Sequence, residues 1–307
     1  MAVAGRIVVG SRGSLLAMRQ AEQVLKSLRR AHPKIEFVLQ VVKTQGDVAA
    51  EVPISHLGVG AFVRELEAAL LRGDIQIAVH SLKDLPSQES PGLLLAAVPP
   101  REDPRDVLVS RWGCSLEQLP QGARVGTGSL RRAAQMRAIR PDLSVEPIRG
   151  NIDTRLRKAA SLEWDGVILA AAGLHRLGWQ DRIAEYLPLE VCLPAVGQAA
   201  LAVQVRAQDM ETRELVAVVD DEATHVAVAA ERSFLDFLGG GCAVPIAAYG
   251  EVQGDHLALR GMVASSDGTR LLRGTVRGSK SAPEDVGRAL ARELLSQGAG
   301  DILARES

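Results

Sequence analysis

Short apolar runs typical of buried strands alternate with longer stretches in which apolar residues recur at helical spacing. The first run covers residues 7–11, and helical spacing then extends from Ser14 to about Arg30. The apolar positions of that stretch are Leu15, Met18, Val24, Leu25 and Leu28. Runs at residues 37–42, 74–80 and 93–98, with a helical stretch at residues 62–71, continue the alternation. This order predicts a parallel or mixed sheet with crossover helices.

Two breaks that contain prolines divide the pattern that follows. After the first break, residues 99–104, a second α/β alternation has predicted strands at residues 107–109, 124–126, 144–148 and 166–171. Its helices are expected to begin near Ser129, Asn151 and Leu174. After the second break, residues 193–198, a predicted strand at residues 200–205 returns to the first domain and makes that domain discontinuous.

The C-terminal part of the chain has a different pattern. A helical stretch at residues 223–238 is followed by three alternating strands near residues 244–252, 256–264 and 270–277, and by a final helix at about 282–297. Strands in a row with a closing helix are typical of a small α+β domain. We therefore predict an α/β protein of three domains, which comprise residues 1–99 with 200–217, residues 105–193, and residues 222–307.

Composition restricts the classes of partner. Hydrophobic residues make up 47% of the 307-residue chain, and the formal net charge is −1, so no overall basic charge favours nucleic acid. No apolar run is long enough to span a membrane, and a strand-like run soon after Met1 leads us to expect no signal peptide. Three widely spaced cysteines suggest neither a disulfide framework nor a metal site. We expect a cytoplasmic protein without metal.

Arginines stand where predicted strands lead into predicted helices. Residues 126–132 read Gly-Thr-Gly-Ser-Leu-Arg-Arg, and residues 149–155 begin Arg-Gly-Asn and end in Arg. A third corner, residues 11–14, reads Ser-Arg-Gly-Ser. Helix N-termini at the carboxyl ends of strands favour anions, and arginine forks match carboxylates or phosphates. Basic residues in a first helical turn oppose the helix dipole, so these corners predict an anionic ligand, although a solvated basic face is the alternative.

Two further features could carry chemistry. Lys83 and Asp84 follow a predicted strand at its carboxyl end, where an aspartate can act as general acid or base or stabilise a cation. His80, on that strand, is interpreted as a structural histidine with satisfied hydrogen bonds. Cys242 follows three glycines between a predicted helix and a predicted strand, where a covalent attachment could form; a small buried residue is the alternative. Phosphate-loop, dinucleotide-binding, zinc-protease and serine-hydrolase motifs are not found.

Taken together, these segments resemble the porphobilinogen deaminase (hydroxymethylbilane synthase) family over essentially the whole chain. The segments that carry the resemblance are residues 11–12, 79–86, 101–106, 126–132, 149–151, 193–198 and 239–242. The resemblance implies two α/β domains like those of type II periplasmic binding proteins, facing each other across a cleft, and a small C-terminal α+β domain with a three-stranded antiparallel sheet.

The resemblance also implies a reaction and a cofactor. A dipyrromethane, built from two porphobilinogen units, is expected on Cys242 through a thioether. Four porphobilinogens are then added head to tail, each with loss of ammonia, and hydrolysis releases hydroxymethylbilane. The partners implied are this substrate alone, with no nucleic acid and no membrane, and the protein is expected to be a monomer.

By the same resemblance, individual residues have expected roles. Asp84 matches the catalytic aspartate, which would hold pyrrole N–H groups and stabilise a cationic intermediate. Expected at the cofactor, besides Cys242 and Asp84, are Lys83, Thr127, Ser129, Arg131, Arg132 and Gly150. Expected at the substrate are Arg12, Ser14, Phe62, Arg149, Arg155, Arg176 and Gln198. Phe62 and Gln198 are expected to help to position the rings.

Three positions depart from the family pattern. Val59 stands where many bacterial members have lysine, Gly128 replaces a common serine, and Ala199 replaces a usual glycine, which should stiffen a hinge slightly. Two other functions remain open at this point. One is a non-catalytic, two-lobed anion-binding protein of the cytoplasm, and the other is a different cysteine-dependent transferase. A covalent chromophore on Cys242 would exclude the first, and the lack of a histidine near Cys242 in sequence disfavours the second.

Overall fold

The computed structural model describes residues 5–42, 63–239 and 244–306. The chain divides into two compact units. The first unit comprises Met1–Glu102 with Ala199–His225, and the second unit comprises Asp103–Gln198 with Val226–Ser307.

The first unit contains a five-stranded sheet. Its strands are β1 (Arg6–Ser11), β2 (Glu36–Val41), β3 (Ile77–Ser81), β4 (Leu93–Ala97) and β10 (Leu201–Arg206). Its helices are α1 (Leu15–Ala31), α2 (Arg64–Arg72) and α6 (Met210–Val216). The strand order is β2-β1-β3-β10-β4, and β10 runs antiparallel to both of its neighbours. The predicted mixed sheet and the predicted return of a late strand to the first domain are therefore confirmed.

Helix α1 covers this sheet with only part of its apolar face. The buried apolar residues of the helix are Ala21, Val24, Leu25 and Leu28. Leu15 and Met18, which were predicted to share that face, are 50% and 39% exposed. Both lie in the first turns of α1, which begin beyond the carboxyl end of β1, so the sheet does not cover them. These two apolar positions of the helical pattern are therefore not core residues.

The second unit contains a sheet with the same topology. Its strands are β5 (Asp106–Ser110), β6 (Arg124–Gly126), β7 (Ser144–Glu146), β8 (Gly166–Ala170) and β9 (Glu185–Tyr186). Its helices are α3 (Leu130–Ile139), α4 (Ile152–Ala159) and α5 (Ala171–Leu177). The order β7-β6-β8-β5-β9 again places one antiparallel strand, β5, between the parallel set and the last strand. The order and the strand directions match those of the first sheet, so the predicted α/β fold class with two similar sheets is confirmed.

A three-stranded antiparallel sheet follows, as predicted. Its strands are β11 (Ile246–Gln253), β12 (His256–Ala264) and β13 (Leu271–Ser279), and the last helices are α7 (Glu222–Phe237), α8 (Pro283–Ser296) and α9 (Ala299–Glu306). Helix α9 was not predicted from the sequence. It buries only Ala299 and Ile302, and two positions give too weak a periodicity to detect.

Helix α3 connects the second five-stranded sheet to this third sheet. The Arg137 Nη1 donates to the Ser266 carbonyl at 2.6 Å, and the Arg273 Nη2 donates to Gln135 Oε1 at 3.1 Å. Gly268 has φ +76, and a Cβ there would lie 2.6 Å from the Ala134 carbonyl oxygen. Because of this close approach, the two sheets form one compact unit in which α3 is held from both sides.

Candidate active site

The first arginine corner of the second unit is the turn between β6 and α3. Ser129 begins the helix: its Oγ accepts a hydrogen bond from the Arg132 backbone N–H at 3.4 Å, and its own N–H donates to Thr127 Oγ1 at 3.2 Å. The first turn of α3 contains no acidic residue. The Thr127 and Ser129 hydroxyls thus lie at the positive end of a helix dipole, a position that favours an anion.

The arginine side chains of this corner point into the protein. Arg131 and Arg132 are each only 5% exposed, and both bind the carboxylate of Asp106, which is completely buried at the start of β5. Arg131 Nη1 lies 2.7 Å from Asp106 Oδ2, and Arg132 donates from Nε at 3.0 Å and from Nη2 at 2.7 Å to Oδ1. The sequence predicts an anionic ligand at these arginines; the structure shows that one anion they bind, Asp106, belongs to the chain itself.

The charges in this cluster do not balance. Burial by itself would raise the pKa of Asp106, but attraction from Arg131 and Arg132 outweighs it and holds the pKa well below its usual range. The carboxylate is therefore ionised, and it faces two guanidinium groups, so one positive charge is left over. The Arg131 Nε is also buried and has no hydrogen-bond partner among the described residues. Both observations are consistent with an additional, external anion.

Gln198, which is expected from the sequence to help to position the rings, belongs to the same cluster. Its Nε2 donates to Asp106 Oδ1 at 2.8 Å and to the Pro104 carbonyl at 2.7 Å, and the side chain is completely buried. A side chain with these partners fixes the chain around Asp106. Its burial does not support direct contact with a substrate ring, which stays a prediction.

The second arginine corner precedes α4. Gly150 has φ +107, in the left-handed region, and a Cβ there would lie 2.6 Å from Thr154 Cγ2, so the backbone requires glycine. The Gly150 carbonyl accepts a hydrogen bond from Arg155 Nε at 2.8 Å. Burial, and then repulsion from Arg132, lower the pKa of Arg155 to about 10. No ion pair of Arg155 is found in the described part of the chain, so this guanidinium could bind a carboxylate.

The departure at Gly128 affects the space beside that guanidinium. A Cβ at residue 128 would lie 3.0 Å from the Ile148 carbonyl oxygen and 3.6 Å from Arg155 Nη2. Glycine therefore leaves room next to Arg155 that a serine side chain would occupy. Of the other arginines predicted to bind substrate, Arg149 is exposed in the β7–α4 connection, and Arg176 is half-buried in α5.

The predicted catalytic aspartate lies in the first unit. Asp84 ends a short 3₁₀ turn, Leu82–Asp84, that directly follows β3, as the sequence predicted for the carboxyl end of a strand. Asp84 is half-buried, whereas Lys83 is exposed. The turn is supported by Leu82, which is buried and whose N–H donates to the Ala200 carbonyl at 3.0 Å.

Arg12 and Ser14 occupy the corner between β1 and α1, also in the first unit. Ser14 begins the helix, and its Oγ accepts from the Ala17 backbone N–H at 3.3 Å. Both residues are half-buried. The exposed Leu15 and Met18 follow directly, so polar and apolar side chains adjoin at this corner, an arrangement that suits a ligand with both an apolar ring and acid groups.

His80 is buried in β3, as expected of a structural histidine, but its hydrogen bonds are not all satisfied. Its Nε2 has no hydrogen-bond partner within the described ranges, and the same is true of Gln204 Oε1 on the adjacent strand β10. Burial lowers the pKa of His80 to about 4; Gln204 opposes this shift, although its contact falls short of hydrogen-bond geometry, and Arg12 adds to it. The imidazole is therefore neutral near pH 7.

Two residues predicted to be functional, Cys242 and Phe62, lie outside the described residues, as does Val59. The elements that flank the segment of Cys242 are a helix and a strand, as predicted: α7 ends at Phe237, and β11 starts at Ile246. The other two cysteines are free thiols; Cys192 is buried and Cys114 is partly buried.

Sequence reasoning assigned no role to Asp106, Cys192 or Gln135, which surround the two arginines. A signal was available for Asp106, because a charged residue opens the apolar strand β5 within a segment that carries the family resemblance. Over residues 5–42, 63–239 and 244–306, no group of three metal-binding side chains is arranged to hold an ion. No helix in those ranges is long and apolar enough to cross a membrane.

The protein is an α/β protein with two mixed sheets of one topology. Its positively charged corners at helix N-termini are suited to anionic ligands. Comparison with known families specifies it further. Residues 7–214 match the family described as "Porphobilinogen deaminase, dipyromethane cofactor binding domain", and residues 225–296 match "Porphobilinogen deaminase, C-terminal domain". The chain belongs to the porphobilinogen deaminase family.

Two porphobilinogen deaminases agree with this assignment. The chain is 48% identical over 299 residues to the porphobilinogen deaminase of Roseiflexus sp. (strain RS-1), which covers 97% of this chain and 98% of that protein. It is 50% identical over 297 residues to the porphobilinogen deaminase of Syntrophotalea carbinolica. That match covers 96% of this chain and 94% of the relative. A solved structure, the probable amino-acid ABC transporter extracellular-binding protein ytmK from Bacillus subtilis, is similar with a TM-score of 0.42 at 12% identity, covering 76% of this chain and 97% of that one.

Membership of this family makes the chain an enzyme of tetrapyrrole biosynthesis, a transferase whose cofactor is a dipyrromethane. The alternative of a non-catalytic anion-binding protein is not favoured.

Proposed function

We propose that this chain joins four porphobilinogen molecules head to tail on a dipyrromethane primer held by Cys242, with loss of one ammonia at each addition, and then releases hydroxymethylbilane by hydrolysis. The single observation that supports the assignment of roles best is the excess of positive charge at the buried Arg131 and Arg132 and the half-buried Arg155. Each porphobilinogen unit carries two carboxylates, and a growing chain of such units matches an excess of guanidinium groups.

The residues present fit a dipyrromethane. Arg131 Nε is a buried donor without an acceptor among the described residues, and Arg155 has no carboxylate partner there. In our proposal the primer is held by Lys83, Thr127, Ser129, Arg131, Arg132 and Gly150, besides Cys242 and Asp84. When bound, the dipyrromethane supplies the pyrrole carbon to which each new unit is joined.

The remaining arginines are assigned to the substrate and the growing chain. These residues are Arg12, Arg149, Arg155 and Arg176, with Ser14 as a hydroxyl donor and with Phe62 and Gln198 in positioning. For Gln198 we propose an indirect effect through Asp106, because its side chain is completely buried. Exposed Leu15 and Met18 give the Arg12 corner an apolar border suited to pyrrole rings.

Asp84 is proposed as the catalytic residue. A carboxylate can accept hydrogen bonds from pyrrole N–H groups, and its negative charge stabilises the cation that forms when a porphobilinogen loses ammonia. Its place on a short turn held by Leu82 supports this role, since a charge-stabilising group must be fixed before the charge develops.

We also propose the domain arrangement and surroundings expected from the sequence. Residues 1–99 with 200–217, residues 105–193 and residues 222–307 would act as three domains of a cytoplasmic monomer that binds neither nucleic acid nor membranes. The three sheets support three domains, although the second and third sheets lie in one compact unit. Light scattering during size-exclusion chromatography tests the monomer.

The experiment that tests the function is the intact mass of the purified full chain under denaturing conditions, followed by digestion and mapping of any adduct. We expect an excess equal to two porphobilinogens less two ammonias on the peptide that contains Cys242. Unmodified protein is then incubated with porphobilinogen and weighed again. Failure to gain the adduct, together with failure to consume porphobilinogen, would contradict the proposal and return the non-catalytic anion-binding protein as the better hypothesis.

A further inference from the structure

The carboxylate of Asp106 is surrounded by five hydrogen-bond donor atoms, which belong to four side chains. Oδ1 accepts from Arg132 Nε and Nη2 and from Gln198 Nε2, and Oδ2 accepts from Arg131 Nη1 and from the Cys192 thiol at 3.2 Å. Asp106 has no exposed surface, so these groups have displaced all water from it. In the proposed function Asp106 appears only as the contact through which Gln198 acts.

The contacts fix the orientation of both guanidinium groups. Arg132 binds side-on, with Nε and Nη2 on the same carboxylate oxygen, while its Nη1 donates to the Ile168 carbonyl at 3.1 Å. Arg131 contacts Asp106 through Nη1 alone. The Arg131 Nε has no acceptor among the described residues. A buried donor in this state is unfavourable until a ligand supplies an acceptor.

We propose that Asp106 is a positioning residue for the cofactor: it holds Arg131 and Arg132 in fixed orientations and leaves the Arg131 Nε and one positive charge for a ligand carboxylate. This inference rests on the proposed function. It assigns Asp106 no contact with the ligand, since the residue acts only through the two arginines.

Charge and geometry make different predictions for substitutions of Asp106. Asparagine keeps the size but removes the charge, which leaves two like charges buried side by side and places an N–H₂ group among donors. Glutamate keeps the charge but is longer by one methylene, so it must displace the guanidinium groups. If the orientation of the two guanidinium groups matters, both substitutions impair ligand binding. If only the negative charge at residue 106 matters, the glutamate variant binds the ligand normally.

Cys192 provides an internal readout that does not depend on turnover. Burial, and then the negative charge of Asp106, raise the pKa of the Cys192 thiol to about 12, whereas the two arginines oppose this shift. Removing the carboxylate leaves the arginines unopposed, so the thiolate should form at lower pH in Asp106→Asn. In Asp106→Glu the charge persists, and the thiol should titrate as in the unaltered chain.

The experiment compares the full chain with its Asp106→Asn and Asp106→Glu variants, each purified without cofactor. Asp142→Asn is the matched control, because Asp142 binds Arg140 through both oxygens in the same unit but is partly exposed. Three quantities are measured: thermal unfolding, the rate at which porphobilinogen adds the dipyrromethane mass, and the pH at which the Cys192 thiolate absorbs, identified by its loss in Cys192→Ala.

We expect the control to match the unaltered chain and both Asp106 variants to acquire the adduct at least about tenfold more slowly, as loss of one charge-assisted hydrogen bond implies. The Cys192 titration should move to lower pH in Asp106→Asn only.

If Asp106→Asn does not fold, Asp106→Glu decides. A folded glutamate variant that acquires the adduct at the normal rate would overturn the proposal, and so would a folded asparagine variant that does so. If the unaltered chain itself gains no adduct, the proposed function has failed. The Cys192 titration does not depend on the adduct, so a shift in Asp106→Asn alone would still support the contacts of Asp106 in that case.

Discussion

The Leu82 N–H donates to the Ala200 carbonyl oxygen at 3.0 Å, and this bond fastens the turn that carries Asp84 to the residue just before β10. Ala200 follows Ala199, whose φ of +71 is in the left-handed region. The position of the turn that carries Asp84 therefore depends on backbone geometry at a residue that is more than a hundred positions away in sequence.

Replacing Asp84 by Asn should leave the fold intact and remove nearly all turnover. The amide has almost the same shape, but it has no negative charge to stabilise a cation, and loss of such a group costs about a hundredfold or more in rate. Steady-state turnover and the far-ultraviolet circular dichroism spectrum check the two parts. The control is Asp74→Asn, which removes an exposed carboxylate paired with Arg72 in the same unit and should not change turnover. Near-normal turnover in Asp84→Asn would refute the catalytic role.

Replacing Ala199 by Gly should stabilise the protein. Among the residues that the structure describes, Ala199 is the one residue other than glycine that has a positive φ. Because glycine adopts a positive φ without strain, the substitution should raise the free energy of unfolding by about 1 kcal/mol. The greater freedom of glycine in the unfolded chain partly offsets this gain. Urea unfolding measures the change in the free energy of unfolding. Ala200→Gly is the control: residue 200 has no such strain, so this substitution should destabilise the protein by about 1 kcal/mol. A less stable Ala199→Gly variant would show that no strain is stored there.

Replacing Cys242 by Ser should abolish covalent attachment of the cofactor, because a hydroxyl is a far weaker nucleophile than a thiol. Intact mass after incubation with porphobilinogen measures the adduct. Cys192 is unsuited to replace it, since the thiol is fully buried and its pKa is raised to about 12. Cys114→Ser serves as the control and should be loaded normally. An adduct on Cys114 or Cys192 in the unaltered protein would exclude Cys242 as the anchor.

His80 should make the protein less stable as the pH falls below about 6.5. Its pKa is lowered to about 4 in the folded state, so the unfolded chain takes up a proton that the folded chain refuses. The free energy of unfolding should fall by about 2 kcal/mol between about pH 7 and pH 5. Urea titrations at both pH values measure this loss, which His80→Gln should remove.

His225 provides a control of opposite sign for this pH dependence. Its hydrogen bond with Asp220, 2.8 Å long, raises the pKa of His225, so its contribution is present at low pH and is lost as the pH rises through the folded pKa. His225→Gln should therefore steepen the loss of stability on acidification. If His80→Gln leaves the pH dependence unchanged, the buried histidine is not its source.

Much of the fold could be predicted because strand and helix periodicity is local. The strand predicted at residues 124–126 coincides with β6, and the one predicted at residues 256–264 coincides with β12. The corners also followed from sequence, because strand ends, glycines and helix caps are neighbours along the chain. Thus Ser14 and Ser129 begin α1 and α3, and Asp84 follows β3 directly.

Burial and charge pairing could not be predicted in this way. Leu15 and Met18 fit the apolar pattern of α1, yet they are exposed because the sheet ends before them. Asp106 is 25 residues from Arg131 and 92 from Gln198, and no local pattern shows that the three side chains meet.

The sequence by itself determined the class of fold, the family and the positions of its corners, because these depend on short-range spacing and on motifs. Only the tertiary structure decided which groups are neutralised by the chain itself. Arg131 and Arg132 share one buried carboxylate, whereas Arg155 has no such partner in the described residues. That difference arises because pairing between buried charges depends on distance in space, and folding brings together residues that lie far apart in sequence.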